Sequence, residues 1–471
     1  MSKGHTIPLL HLTKLIHTHR PQATFTIFTT SANKPFISAS LSRLPTKTVT
    51  ITCLPFSPTK DGIPLGVEST DQLPSMSLFH SFAFATNNIQ PHFETALEHV
   101  QTSPNPISFL ITDEFLYWTQ ESASKFNIFR FTFNGMSTYV AALSMNIVQY
   151  RLFSEDKSKD EVIQVPELPW IGVRKDEFDS SFFVNDPQDP QLDFIIKCYN
   201  ATSMSGGVLV NSFYEIEQPF VGYVNSKAHA KFWCVGPLCL ADEKPILLER
   251  SEKPEWITWL DKKLVQGKPV LYVAFGSQAE ISNDQLKEIT IGLLESSVDF
   301  LWALRIKPHQ EEILNGFDEK LKDKGLVVRS WVEQRDILDH DGVQGFLSHC
   351  GWNSTMESVC AGVPILAWPM MAEQHLNAKM VVEEIKVGLR VETFDGSPRG
   401  FVKWEGLSKM VKELMEGDMG MKAKKKVKEL SVVAKKSVEK EGSSWCNLET
   451  FFNELEMTPN ASNGYQLNHN A

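Results

Sequence analysis

The run VQGFLS, Val343 to Ser348, is apolar and passes at once through His349-Cys350-Gly351 into a helical pattern. A buried strand that feeds a helix through so short a turn is a βα unit, and such units require a parallel sheet covered on both faces. The pattern predicts a helix from about Ser354, with several backbone N–H groups left unpaired in its first turn. A helix end of this kind beyond the carboxyl end of a parallel strand attracts anions, and His349 adds a donor. The local sequence thus predicts a pyrophosphate cradle in an open α/β fold.

Neighbouring residues extend the cradle to a whole nucleotide sugar. Trp331 follows the strand-like LVVRS, where an indole face can stack a flat base for roughly 1–3 kcal/mol. Glu357 can accept hydrogen bonds from two ribose hydroxyls, and Glu373-Gln374, after PILAWP, offer a carboxylate and an amide to sugar hydroxyls. Each residue also has a structural explanation. Ser354 to Glu357 fits a capping box, and Trp331 and Trp352 fit core aromatics.

The 44 residues from Trp331 to Gln374 carry HCGWNS, ES, AGVP, WP and EQ in one frame. The block resembles the signature of the plant UDP-sugar-dependent glycosyltransferases of small molecules, glycosyltransferase family 1. That resemblance implies a GT-B fold: α/β, two Rossmann-like domains with parallel sheets facing across a cleft. It implies that Trp331 stacks uracil, with Val332 beside it in the donor set, and that Gln334 and Glu357 hold the ribose. His349, Asn353 and Ser354 would bind the pyrophosphate. Trp352, Glu373 and Gln374 would hold the sugar, and Gln374 is similar to the residue of members that use glucose. UDP-glucose or another UDP-hexose is then a co-substrate, and no cofactor or metal is expected.

The family's acid–base pair is a His in a GH motif and an Asp at the end of a later strand. MSKGH and LITDEF match, so the resemblance implies His5 as the base and Asp113 as its partner. Taken singly, His5 is an ordinary surface histidine and Asp113 a helix cap. Ser277, ending VLYVAFGS, is either a donor ligand or a cap. The expected reaction is direct displacement with inversion, giving a β-glycoside. Relatives carry about ten to fifteen residues before the GH motif as a first, central strand. That strand is expected to be missing here, and a truncated, weakly active or non-catalytic UDP-sugar binder is the alternative. The small-molecule acceptor, a flavonoid, phenolic or terpenoid, is expected in the first domain, where Phe79, Phe82, Phe84, Phe115 and Phe133 are candidates for an apolar wall.

Length and charge bound the rest. The 471 residues and 42% hydrophobic content suffice for two cores. A net charge of −11 without a basic face argues against nucleic acid. Seven scattered cysteines indicate neither disulfides nor zinc, and no run is long enough to span a bilayer, so a cytoplasmic monomer is expected. Asp339-His340-Asp341 looks like a metal-binding DxD but stands where a solvated turn is the better reading. The expected division is a first domain over 1–240, a linker over 241–264, a second domain over 265–457 and a disordered tail over 458–471.

Overall fold

A computed structural model of the chain describes residues 2–58, 62–153, 158–179, 189–241, 253–306 and 310–457. Its strands are β1 (Phe25–Thr30), β2 (Val49–Leu54), β3 (Phe109–Asp113), β4 (Phe129–Asn134), β5 (Ile163–Val165), β6 (Leu168–Val173) and β7 (Val208–Val210). They continue as β8 (Phe232–Cys234), β9 (Val270–Ala274), β10 (Asp299–Ala303), β11 (Gly325–Val328), β12 (Val343–Ser348), β13 (Ile365–Ala367) and β14 (Gly388–Arg390). The chain forms two compact units, Met1–Thr138 with Val184–Asp242 and Ser437–Ala471, and Tyr139–Phe183 with Glu243–Lys436.

In the second unit six parallel strands run in the order β11-β10-β9-β12-β13-β14. Numbered within the unit this is 3-2-1-4-5-6, the doubly wound order, and it reverses between β9 and β12. All of β9 is buried, and Leu271, Val273, Phe300 and Trp302 pack under the helix Trp404–Glu416 through Leu407, Met410 and Val411. Ligands of such sheets bind beyond the carboxyl ends of the two strands that flank the reversal. Here those ends carry Gly276-Ser277 and His349-Cys350.

The first unit is also parallel, but its sheet is in two pieces, β1-β2 and β3-β4-β7-β8. Phe25 of β1 packs with Phe109 and Ile111 of β3 in one cluster, and Phe28 packs with Leu110 in another. The two strands therefore share hydrophobic clusters while exchanging no ladder bonds among the described residues. Both inner strands are largely half-buried, whereas β4 beyond them is buried from Arg130 to Asn134.

Several expectations are corrected. The linker expected over 241–264 falls partly on 242–252, outside the described residues, and its remainder enters the helix Glu255–Val265. The units do not divide near residue 240 alone: 139–183 belongs with the second unit and 437–471 with the first. The hairpin β5-β6 and the residues after it are fastened within the second unit by Trp170 Nε1 to Glu384 (3.2 Å), Lys379 to Glu177 (3.7 Å) and Arg399 to the Asp176 carbonyl (2.9 Å). The helix Ser443–Met457 instead buries Leu448, Phe451 and Phe452 against Phe131 and Trp233 of the first unit. Helix Lys3–His19 is capped by Ser2, whose hydroxyl oxygen accepts the His5 amide, so His5 stands in its first turn. The tail 458–471 lies outside the described residues.

Candidate active site

His5 and Asp113 are separated by 108 positions, and the fold brings them together: His5 Nδ1 lies 2.5 Å from Asp113 Oδ2. The other carboxylate oxygen accepts the Phe115 amide at 2.9 Å, closing the turn after β3, so Asp113 is a local cap and a partner of His5 at once. Asp113 is 3% exposed, while the His5 ring keeps 24% of its surface. Burial works against a charged imidazole, but Asp113 outweighs it and the His5 pKa is raised. Burial likewise pushes the Asp113 carboxyl up, and the paired imidazole more than reverses this, so its pKa is lowered. A ring held through Nδ1 leaves Nε2 as the nitrogen able to take up a proton, with the tautomer set by the carboxylate.

Phe115 lies against that ring, with centroids 5.0 Å apart. Of the expected apolar wall, Phe82 and Phe133 are core, 1% and 0% exposed. Phe79, Phe84 and Phe115 are half-buried and meet on Phe194, a residue the sequence reading missed. Phe194 lies on the distant helix Pro190–Ser203, and no local pattern ties it to the others.

In the second unit the helix after β12 spans Trp352–Ala361, two residues earlier than expected. Its N-cap is Gly351, which has no side chain to offer, so the first amides are not capped by a side chain. Cys350 adopts φ 62°, turning the chain sharply, and Asn377 Nδ2 braces that turn through the Cys350 carbonyl at 3.0 Å. The His349 ring is wedged between two glycines: a Cβ on Gly276 or on Gly351 would stand 2.6 Å from Nε2. Gly276 also has φ +78°, a conformation that favours glycine. Burial holds the His349 pKa down to about 4, so the ring is neutral near pH 7.

The residues expected to hold the ribose form a connected group. Gln334 Nε2 donates to Ser354 Oγ at 2.8 Å and to Glu357 Oε2 at 2.6 Å, and Gln334 Oε1 faces the buried Tyr272 hydroxyl at 3.3 Å. Glu357 is thus bound to Gln334 rather than closing a capping box. Burial pushes its pKa up to about 7, against the pull of the Gln334 amide. Gln374 Oε1 accepts the amides of Met370 and Met371, both at 3.0 Å, which leaves its NH2 group to face a ligand. Beside it, Glu373 Oε1 lies 3.5 Å from Asn377 Nδ2.

Trp331 is 44% exposed, with the Arg305 guanidinium 5.3 Å from its ring centre, and the neighbouring Val332 is 9% exposed. Trp352 is 2% exposed, and half-buried Asn353 follows it. Ser277 is not the cap of the next helix; Ser282 is, through the Gln285 amide. His340 bonds Asp261 at 3.2 Å and takes the Gly342 amide, so Asp339-His340-Asp341 is a turn. Among the described residues no group of three or more His, Cys, Asp or Glu is disposed to hold a metal.

A doubly wound sheet with an uncapped helix at its reversal, beside a carboxylate–amide pair suited to a ribose, defines a nucleotide-sugar-binding α/β unit. The profile of the family described as UDP-glucoronosyl and UDP-glucosyl transferase matches residues 262–436. The chain is 52% identical to UDP-glycosyltransferase 90A1 of Arabidopsis thaliana, over 97% of this chain and 95% of that one. It is 32% identical to UDP-glucose flavonoid 3-O-glucosyltransferase 7 of Fragaria ananassa, over 97% and 94%. Its fold is similar to that of Phytolacca americana UGT2 complexed with UDP-2fluoro-glucose and pterostilbene, with TM-score 0.78, 28% identity and 96% and 97% coverage. The chain belongs to the plant family 1 UDP-glycosyltransferases of GT-B fold, enzymes that transfer a sugar from a UDP-sugar to a small molecule.

Proposed function

We propose that the enzyme transfers glucose from UDP-glucose to a hydroxyl of a small lipophilic plant metabolite, a phenolic or flavonoid or a terpenoid, with inversion at C1. The observation that carries this reading is the His5–Asp113 contact at 2.5 Å. His5 Nε2 takes the acceptor proton as the acceptor oxygen bonds to C1. The C1–O bond to UDP breaks on the opposite face, and its electron pair leaves on the β-phosphate. Asp113 stabilises the imidazolium so formed. In the second unit the amides of residues 352–354 and His349 meet the developing charge without a metal. Because His349 is neutral, the helix end rather than a histidine charge does most of this work.

Donor recognition follows the same residues. Trp331, with Val332, stacks uracil; Gln334 and Glu357 take the ribose; Asn353, Ser354 and Ser277 add to the phosphate contacts. Trp352, Glu373 and Gln374 take the hexose, and the free amide of Gln374 donates to a sugar hydroxyl. No described helix is long and apolar enough to cross a membrane. The enzyme works as a cytoplasmic monomer in this reading.

Incubation with UDP-glucose and a panel of phenolic and terpenoid alcohols tests it. A β-glycoside, identified by the anomeric NMR coupling, is expected. Sugar-ring epimerisation, or UDP binding without product, would overturn the reading.

A further inference from the structure

Arg305 and Trp331 leave neighbouring parallel strands on the same edge of the second unit's sheet. The β10–β11 ladder pairs Ala303 with Val328 and runs one step further, the Leu304 amide donating to the Val328 carbonyl at 2.9 Å. Leu304 is 3% exposed and packs in the core with Phe300 and Trp302, so Arg305, the next residue, projects away from that core. Its guanidinium carbon stands over the Trp331 ring, 5.3 Å from the centre, inside the roughly 6 Å at which a cation is drawn to an aromatic face.

Among the tryptophans of the described residues only Trp170 and Trp331 are exposed, and the Trp170 indole is taken by Glu384 at 3.2 Å. Trp331 lies on irregular backbone, three residues past β11, so neither a ladder nor a helix fixes its ring. Arg305 is exposed as well and has no carboxylate partner among the described residues, whereas Arg329, one residue past β11, is paired with Glu311 at 2.8 Å. An unpaired guanidinium can lie against an indole plane to plane, which an ammonium cannot do.

A stacking platform that must be ordered at the moment of binding loses affinity to that ordering. A guanidinium on one face of the indole orders it beforehand and leaves the opposite face for a base. We propose that Arg305 is a positioning residue for the donor base: it backs Trp331, so that guanidinium, indole and uracil form a three-layer stack at the edge of the sheet. The proposed diphosphate cradle follows β12, with β9 between it and β10, so the contact of Arg305 is with the indole. This rests on the reading of Trp331 as the platform for uracil.

The test is a double-mutant cycle in UDP affinity, measured by calorimetry on the wild type, R305A, W331A and R305A/W331A, with donor KM and kcat for the Arg305 variants. Both side chains are exposed, so neither substitution removes a core contact. R305A should weaken UDP binding by about two- to fivefold and raise the donor KM by the same factor, with kcat and the thermal midpoint unmoved. W331A should weaken UDP roughly tenfold or more, and R305A should add nothing further in that background. R305K, which lacks the plane, should recover only part of the loss. An equal loss from R305A with and without Trp331, or full recovery in R305K, would assign the effect to charge on the diphosphate and overturn the proposal. Unchanged UDP affinity in R305A would overturn it too. Normal UDP affinity in W331A would instead sink the reading of Trp331 as the platform, and the proposal with it.

Discussion

The turn after β12 and the turn after β3 both end a parallel strand, one holding a histidine and the other the carboxylate partner of one, yet they are built differently. His349 sits at the end of a continuous six-stranded sheet, between two glycines, and the donor residues proposed around it come largely from one run of 44 residues. His5 lies on a helix at the other end of the sequence distance, and its partner is 108 residues away on a sheet in two pieces. The first site is held by backbone geometry, the second by a single side-chain contact. Substitutions of side chains should therefore damage the second more, and changes of backbone space the first.

The largest effect is expected for His5→Ala. Turnover should fall by about 10²–10⁴-fold while UDP still binds, as measured by steady-state kinetics and calorimetry. Near-normal turnover would erase the contrast between the two sites. Gly276→Ala comes next. The new methyl would stand 2.6 Å from His349 Nε2 at a residue with φ +78°, so affinity for UDP should drop by roughly tenfold or more, with a lowered thermal midpoint. An alanine variant that binds UDP normally would show that the wedge is not rigid.

Two pH effects have opposite origins. On the proposed function His5 must be unprotonated, and its pKa is raised, so the acid limb of kcat/KM should lie above the ordinary histidine value near 6.5. Glu357 accepts hydroxyls best as a carboxylate, and its pKa is about 7. The KM for the donor should thus fall severalfold between about pH 6 and 8, and Glu357→Gln should flatten that dependence. The smallest change is expected for Tyr272→Phe. Its contact with Gln334 is long at 3.3 Å, so the donor KM should rise about two- to threefold with kcat unchanged.

The donor turn was legible in the sequence because its strand, turn and helix are contiguous. The helix began two residues early because the cap is a glycine, which leaves no side-chain signal. The importance of Gly276 was available in AFGS, where a glycine directly follows a strand, but its reason, the His349 ring, belongs to another strand. The pairing of His5 with Asp113 was legible only through family resemblance, since no local rule joins residues so far apart. The membership of β5-β6 in the second unit rests on Lys379–Glu177 and Arg399, contacts that long-range packing alone creates.

The split sheet of the first unit has a consequence for amide hydrogen exchange. Among the described residues β1 meets β3 through side chains, not through a shared ladder, and β2 and the helix Lys34–Ser40 pack on β1. Such a piece can open as its own cooperative unit, below the free energy of global unfolding. Deuterium should enter the amides of Phe25–Thr30 well before those of Val270–Ala274, whose strand is paired along both edges. The first unit would then breathe in solution while the sheet of the second stays closed.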